Sequence, residues 1–321
     1  MRVGILATGK IAHTMAHTIS LTDGVTLEAV ASRSLEKANA FAKEFGVKKA
    51  YGSYKELMED KDVDLIYIAT PHSEHKEIML ECISHKKNVL CEKAFTVNKA
   101  EAEEVFRYAK EMGVFVTEAI WTRYMPSRAI ILEYANKIGP VTSITANLSY
   151  KISEVERIKK PELAGGALLD IGIYPINFAL MAHEGEVDTI SGLCTKNEYG
   201  VDIKDSISIR FKDGVMATLL ADATTISDRK GIIYGENGYI EIKNINCPEE
   251  ITVYACDRER VKLETCKIDL ITGYEYELLA CKAALEDKEL ECFEMPHSET
   301  LRVMELMDSL RALWGIKLCH E

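Results

Sequence analysis

Residues 3–19 read VGILATGKIAHTMAHTI. An apolar run that ends in small residues and passes into a helix-like stretch is how a dinucleotide-binding unit begins, with G-x-G-x-x-G/A as its fingerprint directly after the strand. The three marked positions here are Ala7, Gly9 and Ala12, so the first glycine is missing. In such a loop the first glycine makes a tight turn, the second lets the backbone approach a pyrophosphate, and the third lets helix and strand pack closely. Gly9 keeps the role that most needs a bare backbone, and Ala12 is an accepted third residue. Ala7 adds one methyl, tolerable as long as its φ stays negative. The helix that follows offers unpaired N–H groups and a positive dipole end to a phosphate. Ala7, Thr8, Gly9, Lys10 and Ile11 are therefore the positions that would face a cofactor. Alone, the stretch reads equally well as a cofactor loop and as an ordinary strand–helix turn.

The residues around it decide between the two. Apolar runs at 2–7, 25–32, 65–68, 88–91 and 114–117 alternate with helical patterns that reach residue 21 and cover 35–45, 74–85 and 99–112. Short strands separated by helices of this length imply a parallel sheet with right-handed crossovers. After about residue 120 the rhythm changes. Helical patterns at 126–136 and 166–183 are set among β-type runs at 141–151, 187–196, 203–211, 215–223, 231–234, 239–242 and 251–254. Turn residues such as Lys212-Asp213-Gly214 and Glu236-Asn237-Gly238 join several of them, the pattern of an antiparallel sheet. Two helices, 274–286 and 298–313, finish the chain. The expected fold class is α/β: a Rossmann dinucleotide-binding domain over 1–120 and an α+β domain with a mainly antiparallel sheet over 121–321. The last helix is a candidate to pack back on the first domain.

Composition narrows the function classes. The 321 residues are 47% hydrophobic and 28% charged with net charge −12, as in a soluble globular protein long enough for two domains. With no basic stripe, a nucleic-acid partner is not expected. Nine cysteines, an odd number without a C-x-x-C pair, read as the reduced thiols of a cytoplasmic protein. Met1 leads straight into a strand, so no signal peptide is expected. No apolar stretch is expected to approach the roughly 20 residues that span a membrane.

In a parallel sheet of this kind, ligands sit beyond the carboxyl ends of the strands. Past the second strand stand Ser32 and Arg33, where an NAD-selective site would carry Asp or Glu for the ribose 2′-OH. A hydroxyl and a guanidinium suit a 2′-phosphate instead, so NADP is expected, with NAD as the alternative; a solvated arginine opening a helix is the plain reading of Arg33. Thr70, Pro71, His72 and His75 lie in the loop after 65–68. The two histidines lack the H-E-x-x-H register and a further ligand, so no metal is expected and the loop reads as touching the cofactor ribose. Glu92 and Lys93 end the run at 88–91; a lysine there points into the crevice and suits acid/base work, unless it is merely an exposed loop residue. Asp170 and Tyr174 lie four apart in GGALLDIGIY (165–174), on one face of an otherwise apolar helix. A carboxylate and a phenol in that setting need partners. Beside a lysine, Asp170 would stabilise the ammonium while Tyr174 exchanged a hydroxyl proton; a cap or a core pair is the structural alternative.

The glycine-loop region, ATPHSEH (69–75), CEKAFTVN (91–98), EAIWTRYMP (118–126) and GGALLDIGIYPI (165–176) occur in an order and at spacings that resemble the glucose–fructose oxidoreductase / inositol dehydrogenase (Gfo/Idh/MocA) family. The resemblance is closest to its dihydrodiol dehydrogenase-like branch and covers essentially the whole chain. It implies an NAD(P)-dependent dehydrogenase with Lys93 next to the nicotinamide, Asp170 and Tyr174 as the acid/base pair, and Trp121 and Arg123 near cofactor and substrate. It also implies that the second domain's sheet is open-faced and forms the interface of a homodimer or higher homo-oligomer. Ala94 departs from the family's usual proline, after a lysine whose following bond is often cis. A non-proline cis bond costs about 2.5–4 kcal/mol, so a trans Lys93–Ala94 peptide is expected. The expected reaction moves a hydride between nicotinamide C4 and a secondary alcohol or ketone of a small polyhydroxylated compound (a sugar, polyol or trans-dihydrodiol). Two rivals stand beside it: a dinucleotide-binding sensor that regulates a partner, and a metal-dependent hydrolase built on His72 and His75.

Overall fold

In the computed structural model, which describes residues 1–256 and 260–318, the opening run is strand β1 (Arg2–Leu6), with Val3, Ile5 and Leu6 fully buried. It leads through α1 (Lys10–Leu21), β2 (Thr26–Ala31), α2 (Leu35–Phe45), β3 (Lys49–Tyr51), α3 (Tyr54–Met58), β4 (Leu65–Ile68), α4 (His75–Ser84), β5 (Asn88–Glu92) and α5 (Lys99–Met112) to β6 (Val116–Ala119). The six strands form one parallel sheet in the order β3-β2-β1-β4-β5-β6. The strand order reverses between β1 and β4, and such a switch point opens a crevice at the carboxyl ends. Leu6 is in register with Ala31 on one side and Ile68 on the other, so the loops at Ala7, Ser32 and Thr70 emerge side by side. Buried β4, reading LIYI, has the uninterrupted apolar character of a strand covered on both faces.

The helix ends are set locally. Ser34 caps α2 by accepting the Lys37 N–H, and Asn98 caps α5 by accepting the Glu101 N–H. Gly46 and Gly113 close the same two helices in left-handed conformation. β3 and α3 have no counterpart among the expected elements, although Ser53 and Glu56 form a capping box that signals α3.

The second sheet follows α6 (Ser127–Ile138). It contains β7 (Val141–Ser149), then, after α7 (Glu156–Lys159) and α8 (Ile173–Ala182), the strands β8 (Val187–Lys196), β9 (Asp202–Phe211), β10 (Met216–Asp222), β11 (Gly231–Gly235), β12 (Gly238–Lys243), β13 (Glu250–Cys256) and β14 (Arg260–Lys267). Their order is β14-β13-β12-β11-β7-β10-β9-β8, antiparallel except for the β7–β10 pair. Helices α6 and α8 pack on one face. From Met216 to Ala221 along β10 the faces alternate: Ala217, Leu219 and Ala221 are buried while Met216 and Leu220 are exposed. The helical stretch Pro161–Ala182 corrects one expectation, since it is 22 residues long and holds an 18-residue window of mean hydropathy 1.4, long and apolar enough to cross a membrane. That window is 94% buried within the structure, as in the core helix of a two-layer domain. Among the described cysteines, Cys82, Cys91, Cys281 and Cys292 are buried and Cys256 is exposed.

Two last helices, α9 (Glu275–Glu286) and α10 (His297–Trp314), complete the chain. The structure divides into one unit of Met1–Tyr124 with Ile271–Arg302 and a second of Met125–Leu270 with the residues from Val303 on. A single cut near residue 120 does not describe this division. Segment 271–302 joins the first unit through long-range contacts: Thr18 Oγ1 lies 2.8 Å from Thr272 Oγ1, and the Val116 N–H donates to Leu290 O at 3.1 Å. Nothing in its local pattern announces such pairings.

Candidate cofactor and catalytic sites

At the end of β1 the chain turns through Ala7, whose N–H donates to Ala31 O at 2.9 Å. Its φ is +77°, which overturns the expected negative angle. The turn requires the left-handed conformation that glycine supplies elsewhere, and alanine holds it at a cost of about 1–2 kcal/mol. Gly9 is extended at the N-terminus of α1, and a methyl built on it meets no other atom within 4 Å. Among the described residues no side chain caps that helix, and no acidic residue occupies its first turn. Its first N–H groups, from Lys10 and Ile11, therefore face open space with the positive end of the dipole behind them. That is what a diphosphate needs.

A cleft of about 530 Å³ beside this turn is lined by Ala7, Gly9, Ser32, Arg33, Lys37 and Tyr54, among others. Arg33 is exposed and its guanidinium lies 3.1 Å from Glu74 Oε1. An exposed pair of this kind is worth about 0–1 kcal/mol, so an arriving phosphate competes with it easily. Lys37 and Tyr54 escaped the sequence reading. Lys37 follows the Ser34 cap by three residues, one helical turn, a spacing that places it back over the cap. Tyr54 opens the helix the sequence reading left out.

The loop after β4 carries an orphan. Thr70 is buried and its hydroxyl has no hydrogen-bond partner among the described residues, a polar group available to a ribose. Pro71 leads into a single 3₁₀ turn, His72–Glu74. His72 Nε2 lies 3.1 Å from Lys93 O. His75 is fully buried; its Nδ1 is 3.0 Å from Ala94 O and its Nε2 is 2.9 Å from Thr70 O. Carbonyl oxygens only accept, so each ring holds the loop through a nitrogen that carries its proton; a neutral His75 ring donates from one nitrogen, and only its cation donates from both. Burial pushes the His75 pKa below the ordinary histidine value, with the carbonyl hydrogen bonds acting in the opposite direction. The two histidines therefore clamp the Lys93 turn to the Thr70 loop.

The Lys93–Ala94 peptide is cis, which corrects the expected trans bond. Its surroundings fix the turn from both sides: the histidines hold the carbonyls of residues 93 and 94, and the Phe95 N–H donates to Glu118 Oε1 at 3.2 Å. The other oxygen of Glu118 accepts from the Thr300 hydroxyl at 3.0 Å. Burial pushes the Glu118 carboxyl up to about 7, although its hydrogen bonds, Arg123 and Lys93 favour the charged form. Glu92 is buried and accepts from the Tyr67 hydroxyl. Trp121 is buried and stacks on Tyr274, with ring centroids 4.2 Å apart and planes 4° from parallel. Arg123 is buried and pairs with Glu299 at 2.8 Å.

In the second unit, Gly166 adopts φ +124° before the helical run that bears Asp170 and Tyr174. That run was expected as one helix over 166–183. It begins instead as a π-helical turn, Leu168–Gly172, and continues as α8. Such turns concentrate at functional sites. Asp170 sits on the π turn, buried, and its Oδ1 accepts from Arg157 Nη1 at 2.5 Å. Tyr174 is buried on the first turn of α8. Arg157 was missed because it comes from α7, thirteen residues upstream, in a stretch without periodicity.

Residues 1–120 match the family description "Oxidoreductase family, NAD-binding Rossmann fold", and residues 132–241 match "GFO/IDH/MocA C-terminal domain". The chain belongs to the GFO/IDH/MocA oxidoreductase family. Trans-1,2-dihydrobenzene-1,2-diol dehydrogenase of Danio rerio is 32% identical to this member of the family over 98% of its chain and 97% of the relative. The Xenopus laevis protein of the same name is 37% identical over 74% of each. Among solved structures, a 3-ketoreductase from Actinomadura kijaniata, in complex with TDP-benzene and NADP, superposes with a TM-score of 0.86 at 23% identity, covering 97% and 96% of the two chains. An aldose–aldose oxidoreductase from Caulobacter crescentus gives 0.88 at 18% identity over 99% of both. At such identities the structural likeness establishes the fold. This GFO/IDH/MocA protein is thus an oxidoreductase with an NAD-binding Rossmann domain. Its helix N-terminus, bare Gly9 and orphan Thr70 hydroxyl fit the dinucleotide.

Proposed function

We propose that the protein is an NADP(H)-dependent dehydrogenase, with NAD(H) as the weaker cofactor. Its substrate would be a secondary alcohol, or the matching ketone, of a small polyhydroxylated compound of trans-dihydrodiol or sugar type. The cofactor reading rests on one observation: the cleft at the end of β2 presents Ser32, Arg33 and Lys37, and the turn Ala31-Ser32-Arg33-Ser34 holds no carboxylate. The curated relatives named dihydrodiol dehydrogenase support the substrate class.

When bound, the nicotinamide supplies or takes up the hydride. The chain's own residues handle the rest. Lys93 and Tyr174 are proposed as the groups that accept the hydroxyl proton on oxidation and return it on reduction. Asp170, held by Arg157, fixes the charge balance and orientation of Tyr174 one helical turn on. The clamp of His72 and His75 keeps the Lys93 turn in place, and Thr70 and Pro71 present the ribose side of the loop. Glu92, Trp121 and Arg123 are proposed to lie near the cofactor. The protein is further proposed to be a cytoplasmic homodimer joined through the exposed face of the second sheet. Its odd cysteine number and the exposed apolar side chains of Met216 and Leu220 on that face support these readings.

One experiment tests the proposal. NADPH formation or loss is followed with a panel of trans-dihydrodiols, sugars and dicarbonyls, using NADP and NAD in parallel, on wild type, Lys93→Met, Tyr174→Phe and Arg33→Ala. Turnover in wild type, collapse of kcat in the first two variants and a selective loss of NADPH affinity in the third are expected. Tight NADPH binding without turnover on any compound indicates a sensor instead.

A further inference from the structure

Two carboxyl groups outside the proposed machinery lie buried at the start of β9. Asp202 Oδ2 accepts the Leu168 N–H at 2.6 Å, the first backbone donor of the π turn that carries Asp170. A side chain at Gly166 would collide with the same carboxylate, its Cβ falling 2.5 Å from Asp202 Oδ1. Asp205, three residues along β9, is fully buried, and neither of its oxygens meets an N–H or O–H donor among the described residues. Its cross-strand partners are Ala221 and Cys194, which offer no cation. Asp222 stands near, but its needs are met by Thr224 and Lys204. What Asp205 does have beside it is Asp202.

We propose that Asp202 and Asp205 share a single proton, carried by Asp205, and that Asp202 is thereby a positioning residue that fixes the helical turn bearing Asp170. Two acceptors in contact form a hydrogen bond only when one of them is protonated. The asymmetry follows from the surroundings. Burial raises the Asp202 pKa as well, but the Leu168 N–H it receives at a helix N-terminus acts against this and favours a negative charge. Asp205 receives none, and burial, with the neighbouring carboxylate second, drives its pKa well above the ordinary range. The neutral Asp205 then donates to the charged Asp202, and the pair sits where an unpaired charge would otherwise be stranded. This inference rests on Asp170 and Tyr174 acting in catalysis, as proposed above.

The test compares wild type, Asp202→Ala, Asp202→Asn, Asp205→Asn and Tyr174→Phe. Turnover is read with NADP and trans-1,2-dihydrobenzene-1,2-diol, or with another compound the screen identifies, together with NADPH dissociation constants and infrared spectra. Asp202→Ala should lower kcat about a hundredfold with the NADPH dissociation constant unchanged. Asp202→Asn keeps an acceptor for the Leu168 N–H and should recover kcat to within about tenfold. Asp205→Asn mimics the neutral acid, so it should stay within about twofold of wild type. In the difference spectrum it should remove one protonated-carboxyl band that persists at about pH 8, far above the ordinary carboxyl range.

If Asp202→Ala does not fold, Asp202→Asn and the infrared band carry the test. Normal kcat in both Asp202 variants while Tyr174→Phe is inactive overturns the positioning claim. A loss in Asp205→Asn as deep as in Asp202→Ala, or a spectrum without the missing band, overturns the shared proton. Full turnover in Tyr174→Phe sinks the catalytic reading and, with it, the purpose assigned to Asp202, while the infrared result still decides the shared proton.

Discussion

Ala7 concentrates what one side chain can and cannot conceal. The sequence shows that a methyl replaces a hydrogen in the first position of the dinucleotide loop, but only the backbone shows that the position keeps a glycine's φ of +77°. Replacing the alanine should relieve about 1–2 kcal/mol of left-handed strain and return about 0.4–1 kcal/mol as unfolded-chain entropy. Ala7→Gly is therefore expected to raise the urea midpoint modestly with an unchanged m value; a lower midpoint would show that the methyl is packed rather than strained. Glu118 gives the second residue-scale case. Its buried carboxyl is raised from 4.5 to about 7, so the folded state binds a proton more readily than the unfolded chain. Its contribution to stability is full below the unfolded value and is lost as pH rises through about 7. Glu118→Gln stays neutral and should flatten that part of the stability curve, gaining melting temperature on the alkaline side; parallel curves for the two proteins would refute it. No local pattern marks Glu118 in the sequence, because its environment comes from Phe95, Arg123 and Thr300.

Elements were the most legible scale. Caps at Ser34 and Asn98 and the left-handed glycines 46 and 113 delimit α2 and α5 by chemistry that acts within a few residues. The π turn was not legible, since GGALLDIG has the periodicity of any buried helix and the wider turn is set by what packs around it. Gly166 is the place to probe it. With φ +124° and Asp202 in the space of its missing side chain, Gly166→Ala should destabilise the protein by about 1–3 kcal/mol. Urea unfolding followed by circular dichroism measures this, and an unshifted midpoint would mean that the start of the helix is not rigidly held.

On the scale of the whole molecule, the second sheet has one face under α6 and α8 and another on which Met216 and Leu220 remain exposed. Apolar residues repeated on an uncovered sheet face invite a partner, and a second copy of the chain is the partner proposed. Joint replacement of Met216 and Leu220 by aspartate should convert the dimer to a monomer in sedimentation experiments without changing the circular dichroism spectrum. A wild-type protein that sediments as a monomer at micromolar concentration removes the proposal. The same scale explains why Pro161–Ala182 passes for a membrane span on composition: a helix enclosed by its own domain has no polar face to display.

Periodicity, caps and turn residues act over a few positions, and the sequence by itself therefore determined the alternating first third, the mainly antiparallel remainder, the bare Gly9 and the missing acid after β2. Tertiary structure alone decided the conformation at Ala7, the cis peptide after Lys93, the Arg157 partner of Asp170 and the allegiance of segment 271–302. Each of these depends on groups brought together from distant parts of the chain, and a local pattern carries no record of a neighbour that arrives only on folding.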